Sequence, residues 1–255
     1  MNQPETPATG ELLDLSGETV LVTGASGNIG GAIARRLAEA GATIVAHYHR
    51  NEAAAVELIN KLGRGQAVQA DLADESAVEQ MFESIRPSLV VNNAAAQPVT
   101  GLADMTFAEW REVLGANLDS AFLVSRRAAL AWIAAGEPGA IVNIGSIEGL
   151  DPAAGHSHYA TSKAGLAMLT RAAALEFGSA NIRINCVSPG LIDRDGLASD
   201  WPEGVARWHD RAPLGRIGSP IDVADAVLFL LSPAARWISG ANLSVDGGMS
   251  AQSKW

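Results

Sequence analysis

Short apolar runs that alternate with segments of helical periodicity constrain this chain of 255 residues more than any other feature. The runs are Thr19–Val22 and residues 43–46, 66–69, 88–91 and 140–144; residues 183–187 and Asn242–Val245 are similar but more mixed. Each has the length of a buried strand, and several are rich in Val and Ile. Between them, residues 29–40, Glu52–Leu62, Glu75–Ser84, 107–135 and 159–177 carry helical patterns. Strands that alternate with helices pair in parallel, with helices on both faces. The expected fold class is therefore α/β, a doubly wound parallel sheet of about seven strands in one domain over residues 17–255. Residues 1–16 read as a flexible tail without the basic and apolar regions of a signal peptide. Residues 191–213 lack clear periodicity, and a loop of that length in a compact domain is expected to be a lid over a site.

Composition narrows the function classes. Hydrophobic residues make up 48% of the chain and charged residues 18%, enough for a large core and incompatible with disorder. A net charge of −10 repels polyphosphate backbones, so no nucleic-acid partner is expected. No apolar run approaches the roughly 18 residues of a membrane span. The one cysteine, Cys186, leaves no intramolecular disulfide and no thiolate-rich zinc site. A cytoplasmic protein is the expectation. Two helix starts are marked chemically: Thr106 and Glu109 form a capping box, and Ser219 precedes Pro220 at a first helical position.

The first strand runs into Thr23-Gly24-Ala25-Ser26-Gly27-Asn28-Ile29-Gly30 and then into a helix. Glycines let a backbone turn tightly and approach a ligand, and the helix N-terminus offers N–H groups to a pyrophosphate. At the end of the second strand, an acid at position 48 would bind a ribose 2′-hydroxyl, but the segment reads His47-Tyr48-His49-Arg50. Arg50 would attract a 2′-phosphate. His47 and His49 share a strand face without further ligands nearby in sequence, so no metal site is expected.

Beyond the strand at 140–144 stands Ser146, then Tyr159 with Lys163 at i+4 on one helix face. An ammonium beside a phenol favours the phenolate and brings its pKa towards operating pH, which suits a proton donor and acceptor. Asn117 lies on the apolar stripe formed with Trp110, Leu114, Ala121 and Val124. A buried mid-helix amide needs partners.

Together these residues resemble the short-chain dehydrogenase/reductase family in its compact, classical form, over about residues 17–248. Asn117, Ser146 and Tyr159-Ala160-Thr161-Ser162-Lys163 match the family's Asn-Ser-Tyr-Lys tetrad, and Asn92-Asn93-Ala94-Ala95 resembles its Asn-Asn-Ala-Gly motif. Pro189-Gly190 and Asp71 match two further landmarks. The resemblance implies a Rossmann-like fold and an enzyme moving a hydride between a nicotinamide and a carbonyl/alcohol substrate. In it Tyr159 is the acid/base, Lys163 tunes it and holds the ribose, Ser146 positions the substrate oxygen and Asn117 supports a relay water. Cofactor contacts are implied for Gly24, Ser26, Asn28, Ile29, Gly30, His49, Arg50, Asp71, Leu72, Asn93, Ala94, Tyr159, Lys163, Pro189, Gly190 and Ile192.

Three departures bear on specificity. Asn28 stands where the compact form places its middle glycine, Gly27 where many NADP-dependent members carry a basic residue, and Arg194 where a threonine often meets the nicotinamide. Tyr48 and Arg50 outweigh the absent helper at Gly27, so NADP(H) is favoured over NAD(H). The apolar lid residues Leu191, Leu197, Trp201, Val205 and Trp208 suggest a partly hydrophobic substrate of 3-oxoacyl, ketone or sugar/polyol type. Arg126, Arg127 and Arg171 could form a patch for an acyl carrier protein or remain solvated. Family assembly implies a homo-oligomer, a tetramer or dimer. The alternative is a non-catalytic dinucleotide-binding sensor or scaffold on the same fold.

Overall fold

The computed structural model describes residues 7–252. Among them, seven parallel strands form one sheet in the order β3-β2-β1-β4-β5-β6-β7. The strands are β1 (Thr19–Val22), β2 (Thr43–Tyr48), β3 (Gly65–Gln69), β4 (Leu89–Asn92), β5 (Gly139–Ile144), β6 (Ile182–Pro189) and β7 (Asn242–Val245). The pleat sorts neighbouring side chains to opposite faces. Val20, Val22, Ile44, Ala46, Val91 and Val142 join one core, against α1 (Asn28–Glu39) and α9 (Pro220–Leu231). Leu21, Val45, Val90 and Ile141 join the other, with Phe82 of α3 (Glu75–Ser84) and Val124 and Trp132 of α5 (Ser120–Ala135). Helix α2 (Glu52–Leu62) connects β2 to β3 and ends at Gly63 in the left-handed region. Helix layers on both faces of the central strands explain why β1, β2, β4 and β5 read as continuous apolar runs, whereas the edge strands β3 and β7 are more exposed.

The chain lays β1, β2 and β3 outward in one direction, then returns to set β4 on the free side of β1. The crevice at this reversal, beyond the carboxyl ends of β1 and β4, is where open α/β sheets bind ligands. Gly30 fixes its geometry. A Cβ there would lie 2.3 Å from the Gly24 carbonyl oxygen and 2.6 Å from Asn93 Nδ2, so only a bare backbone lets α1 sit this close to the turn.

Three segments differ from the sequence expectation. Residues 107–135 are not one helix: α4 (Phe107–Leu114) passes through a π-helical turn, Gly115–Asp119, before α5. Asn117, at its centre, is gripped by backbone outside the helix, and this accommodates the widened turn. The expected lid, 191–213, holds two helices, α7 (Leu197–Asp200) and α8 (Pro202–Arg211), the second started by a proline at its first position. The expected flexible tail lies partly outside the described residues (1–6). Within it Leu15 is 2% exposed in the core against α1, its N–H donating to Ala40 O at 2.7 Å.

Both marked helix starts are built. Thr106 and Glu109 exchange hydrogen bonds ahead of α4, and the Ser219 N–H donates to Asp222 ahead of α9.

Gly30→Ala is expected to cost at least about 2 kcal/mol of stability, because its methyl meets backbone rather than a yielding side chain. Urea unfolding midpoints measure it; a loss within about 0.5 kcal/mol would mean that the turn gives way easily.

Candidate active site

At the carboxyl ends of β1, β4, β5 and β6 lies a cavity of about 1140 Å³. Ile29 and Asn93 line one end; Ser146, Tyr159 and Lys163 line its floor; Leu191, Leu197, Trp201 and Trp208 line its roof. The floor begins where β5 ends. Ser146 caps a short 3₁₀ turn, its Oγ accepting from Glu148 N at 3.1 Å. Helix α6 (Ser157–Phe177) brings Tyr159 and Lys163 to the same face one turn apart. Lys163 Nζ donates to Ile144 O at 2.8 Å and lies 5.6 Å from the Tyr159 ring centroid.

Burial dominates the electrostatics. The Tyr159 phenol is pushed up to about 12 by desolvation, with the Ser146 hydroxyl pulling it down and the Glu148 charge adding to the rise. The expected lowering by Lys163 is not found. Desolvation pushes the Lys163 ammonium itself down to about 8. The site thus holds a protonated phenol at neutral pH, a donor rather than a base.

Asn117 is engaged on three sides. Its Oδ1 accepts from Ala96 N at 2.7 Å, and its Nδ2 donates to Ala96 O at 2.9 Å and to Ser162 Oγ at 3.0 Å. The amide therefore braces the π turn against α6 and lies outside the cavity lining. A polar chain continues beneath: Asn92 Nδ2 reaches Ser125 Oγ and Asn143 Oδ1, and Asn143 Nδ2 reaches Thr170 Oγ1.

The glycine turn stands at the other end. Gly24 has φ +64°, and a Cβ there would lie 3.0 Å from Ala94 Cα. Gly27 precedes α1 without a side-chain cap, so the first N–H groups of the helix, on Asn28, Ile29 and Gly30, are left to a ligand. Asn28 has a use beyond glycine's: Nδ2 donates to Asp193 O at 2.6 Å, tying the turn to the root of the lid. Pro189, Gly190 and Ile192 line the cavity, whereas Gly24, Ser26, Gly30, Leu72 and Ala94 shape or flank the crevice without lining it.

At the end of β2, Arg50 is exposed, and no hydrogen bond or ion pair engages it among the described residues. His49 Nε2 lies 4.0 Å from Asp71 Oδ2, and desolvation together with the Glu52 charge pushes the Tyr48 phenol up. Sequence reasoning missed His47. Its Nδ1 accepts from Gly24 N at 3.1 Å and its Nε2 meets Ala70 O at 3.1 Å, so a neutral ring clamps the turn to β3. Burial holds that ring well below the usual imidazole value, at about 4. Also missed were Glu148, His156 and Gln97, all lining the cavity; nearness in sequence to Ser146 and Tyr159 was the available signal for the first two, and nearness to Asn92-Asn93-Ala94-Ala95 for Gln97. Arg194 turns to Asp200 at 2.7 Å. Arg126 and Arg127 pair with Glu75 and Glu79 of α3, which neutralises much of the expected basic patch.

A family model described as enoyl-(acyl carrier protein) reductase matches residues 24–250. The chain is a short-chain dehydrogenase/reductase. It is 36% identical to 3beta-hydroxysteroid dehydrogenase 1 of Eggerthella lenta, over 92% of this chain and 95% of the relative. It is 37% identical to the 3-oxoacyl-[acyl-carrier-protein] reductase FabG of Aquifex aeolicus, over 93% and 99%. The crystal structure of a gluconate 5-dehydrogenase from Burkholderia cenocepacia in complex with NADP and tartrate superposes with a TM-score of 0.89 at 29% identity, covering 95% of this chain and 99% of that one. The protein is an oxidoreductase acting on a CH–OH/C=O couple with a nicotinamide cofactor. The uncapped α1 N-terminus and the bare-backbone turn fit the pyrophosphate of that cofactor.

The buried ammonium makes stability pH-dependent. With a native value of about 8 against 10.5 for an ordinary lysine, the unfolded chain binds more protons between those limits, so stability from this group rises with pH across them. Wild type should therefore gain on Lys163→Met from pH 8 towards 10.5, by at most about 1.4 kcal/mol per pH unit. A constant difference between their urea midpoints would contradict the burial of a titrating amine.

Proposed function

We propose that this enzyme reduces a carbonyl to an alcohol with NADP(H), Tyr159 giving the proton. The convergence of Ser146, Tyr159 and Lys163 on the floor of one cavity carries this reading. The nicotinamide, when bound, supplies the hydride chemistry. Ser146 Oγ donates a hydrogen bond to the substrate oxygen, and the Tyr159 hydroxyl gives that oxygen its proton as negative charge develops on it. A phenol near 12 is protonated at neutral pH, which favours reduction; oxidation of the alcohol needs the phenolate and so speeds up as pH rises. Lys163, held on Ile144 O beside the ring, is the residue positioned to hold the ribose. Asn117 acts as a positioning residue through Ser162 and the π turn rather than through its own amide. A purely cofactor-binding sensor would have no use for this set of groups.

The preference for NADP(H) rests on Arg50, exposed and unengaged where a 2′-phosphate would lie, and on Tyr48 in place of an acid. Glu52, an acid close enough for its charge to act on Tyr48, limits that preference. Assembly into a homo-oligomer is supported by exposed apolar side chains on α5 and α6, among them Ile133, Met168 and Leu175.

Tyr159→Phe keeps the ring and removes the transferred proton; turnover is expected to fall about 10²- to 10⁴-fold with cofactor binding kept. Turnover within a few-fold of wild type would refute the assignment. Arg50→Ala is expected to weaken NADPH binding at least about tenfold and leave NADH binding nearly unchanged. Dissociation constants for both cofactors on both proteins decide it, and equal losses would show that Arg50 does not read the phosphate.

A further inference from the structure

Next to the acid/base stands a second polar group that the proton chemistry leaves unused. His156 precedes Tyr159 by three residues at the start of α6, and Glu148 follows Ser146 by two. His156 Nδ1 lies 2.8 Å from Glu148 Oε2, and Gln97 Nε2 donates to the other carboxylate oxygen at 3.1 Å. The pair is mostly shielded, with side chains 16% and 18% exposed. The His156 ring meets the Tyr159 ring edge-on, centroids 6.0 Å apart. All four residues line the cavity.

The carboxylate fixes the tautomer. A carboxylate only accepts hydrogen bonds, so Nδ1 carries the proton, and in the neutral ring Nε2 is the acceptor. Among the described residues Nε2 has no hydrogen-bond partner, and it is not one of the buried unpartnered atoms. In the neutral ring it is therefore an accessible acceptor in the cavity that Tyr159 also lines.

We infer that His156, oriented by Glu148, recognises a hydroxyl group of the substrate close to the reacting carbonyl, so that the substrate is a hydroxyketone or ketose and the product a polyol. A hydroxyl can donate to Nε2; the methylene of a plain ketone cannot, and would strand a polar group on binding. The roof suits the same ligand. The indoles of Trp201 and Trp208 offer apolar faces to the C–H side of a polyhydroxylated chain, while the floor holds its oxygens. This inference rests on the carbonyl/alcohol chemistry proposed for Tyr159.

The test compares 1-hydroxyhexan-2-one with hexan-2-one, two ketones that differ by one hydroxyl, in wild type and in His156→Phe, following NADPH and NADH oxidation. His156→Phe keeps a ring beside Tyr159 and removes the acceptor; His156→Gln restores one. Wild type is expected to favour the hydroxyketone by about tenfold in kcat/KM, mostly through KM. The ratio should collapse towards one in His156→Phe and partly return in His156→Gln. A purely structural role would lower both substrates together and leave the ratio unchanged, which overturns the inference. Equal use of both ketones by wild type overturns it without touching the carbonyl chemistry. Failure of both ketones also overturns it, and if neither dinucleotide then binds, the proposed function falls with it.

Discussion

The meeting of β1 and β4 is held by Asn93 and Thr23, and the rest of the site depends on it. Asn93 Nδ2 donates to Thr23 O at 2.9 Å and to Gly24 O at 3.2 Å. In return Thr23 Oγ1 accepts from Asn93 N at 2.9 Å and from Ala94 N at 3.0 Å. Four bonds thus engage four backbone groups where the two strand ends diverge. The glycine turn can then lie under α1, and β4 can lead away to the other half of the sheet. Moving this junction would displace the glycine turn and the floor with Ser146, Tyr159 and Lys163 relative to each other.

The floor is a compromise between burial and charge. Asn117, Ser162, Asn143 and Thr170 are nearly inaccessible and hydrogen-bonded, so their polarity costs little and fixes α5 and α6 on the sheet. Lys163 is a different case. Its ammonium is buried with a backbone carbonyl and no carboxylate, and its depressed affinity for a proton is the physical trace of that cost. Tyr159 beside it is pushed the opposite way by the same desolvation. Both shifts move their groups towards the uncharged form, and a site built for stability alone would contain neither residue.

Much of this was legible in the sequence. Strand positions showed as apolar runs because both sheet faces are covered, and β1 and β7 begin and end where the pattern does. Tyr159, Lys163 and Ser146 were legible because helical spacing and a strand end fix where they lie. The π turn was hidden: apolar spacing is blind to one widened turn, and Asn117 shows its cause only once Ala96 is seen beside it. The lid helices were hidden because α7 is a single turn and α8 is mostly polar. The seating of Leu15 and the pairing of His156 with Glu148 both depend on packing that local patterns do not encode. The expected effect of Lys163 on Tyr159 failed because neighbour charge was weighed without burial.

Gly190 and Gly204 give the roof a different character from the floor. A Cβ on Gly190 would lie 2.7 Å from the Trp208 ring, and one on Gly204 would lie 2.0 Å from that of Trp201. Each indole packs closely against bare backbone, a contact made by shape and dispersion with no direction of its own. The floor is the reverse, a lattice of hydrogen bonds that tolerates little displacement. One half of the cavity is therefore a fixture and the other a fitting. Substitutions that reshape the roof can change what the cavity holds while Ser146, Tyr159 and Lys163 stay where they are.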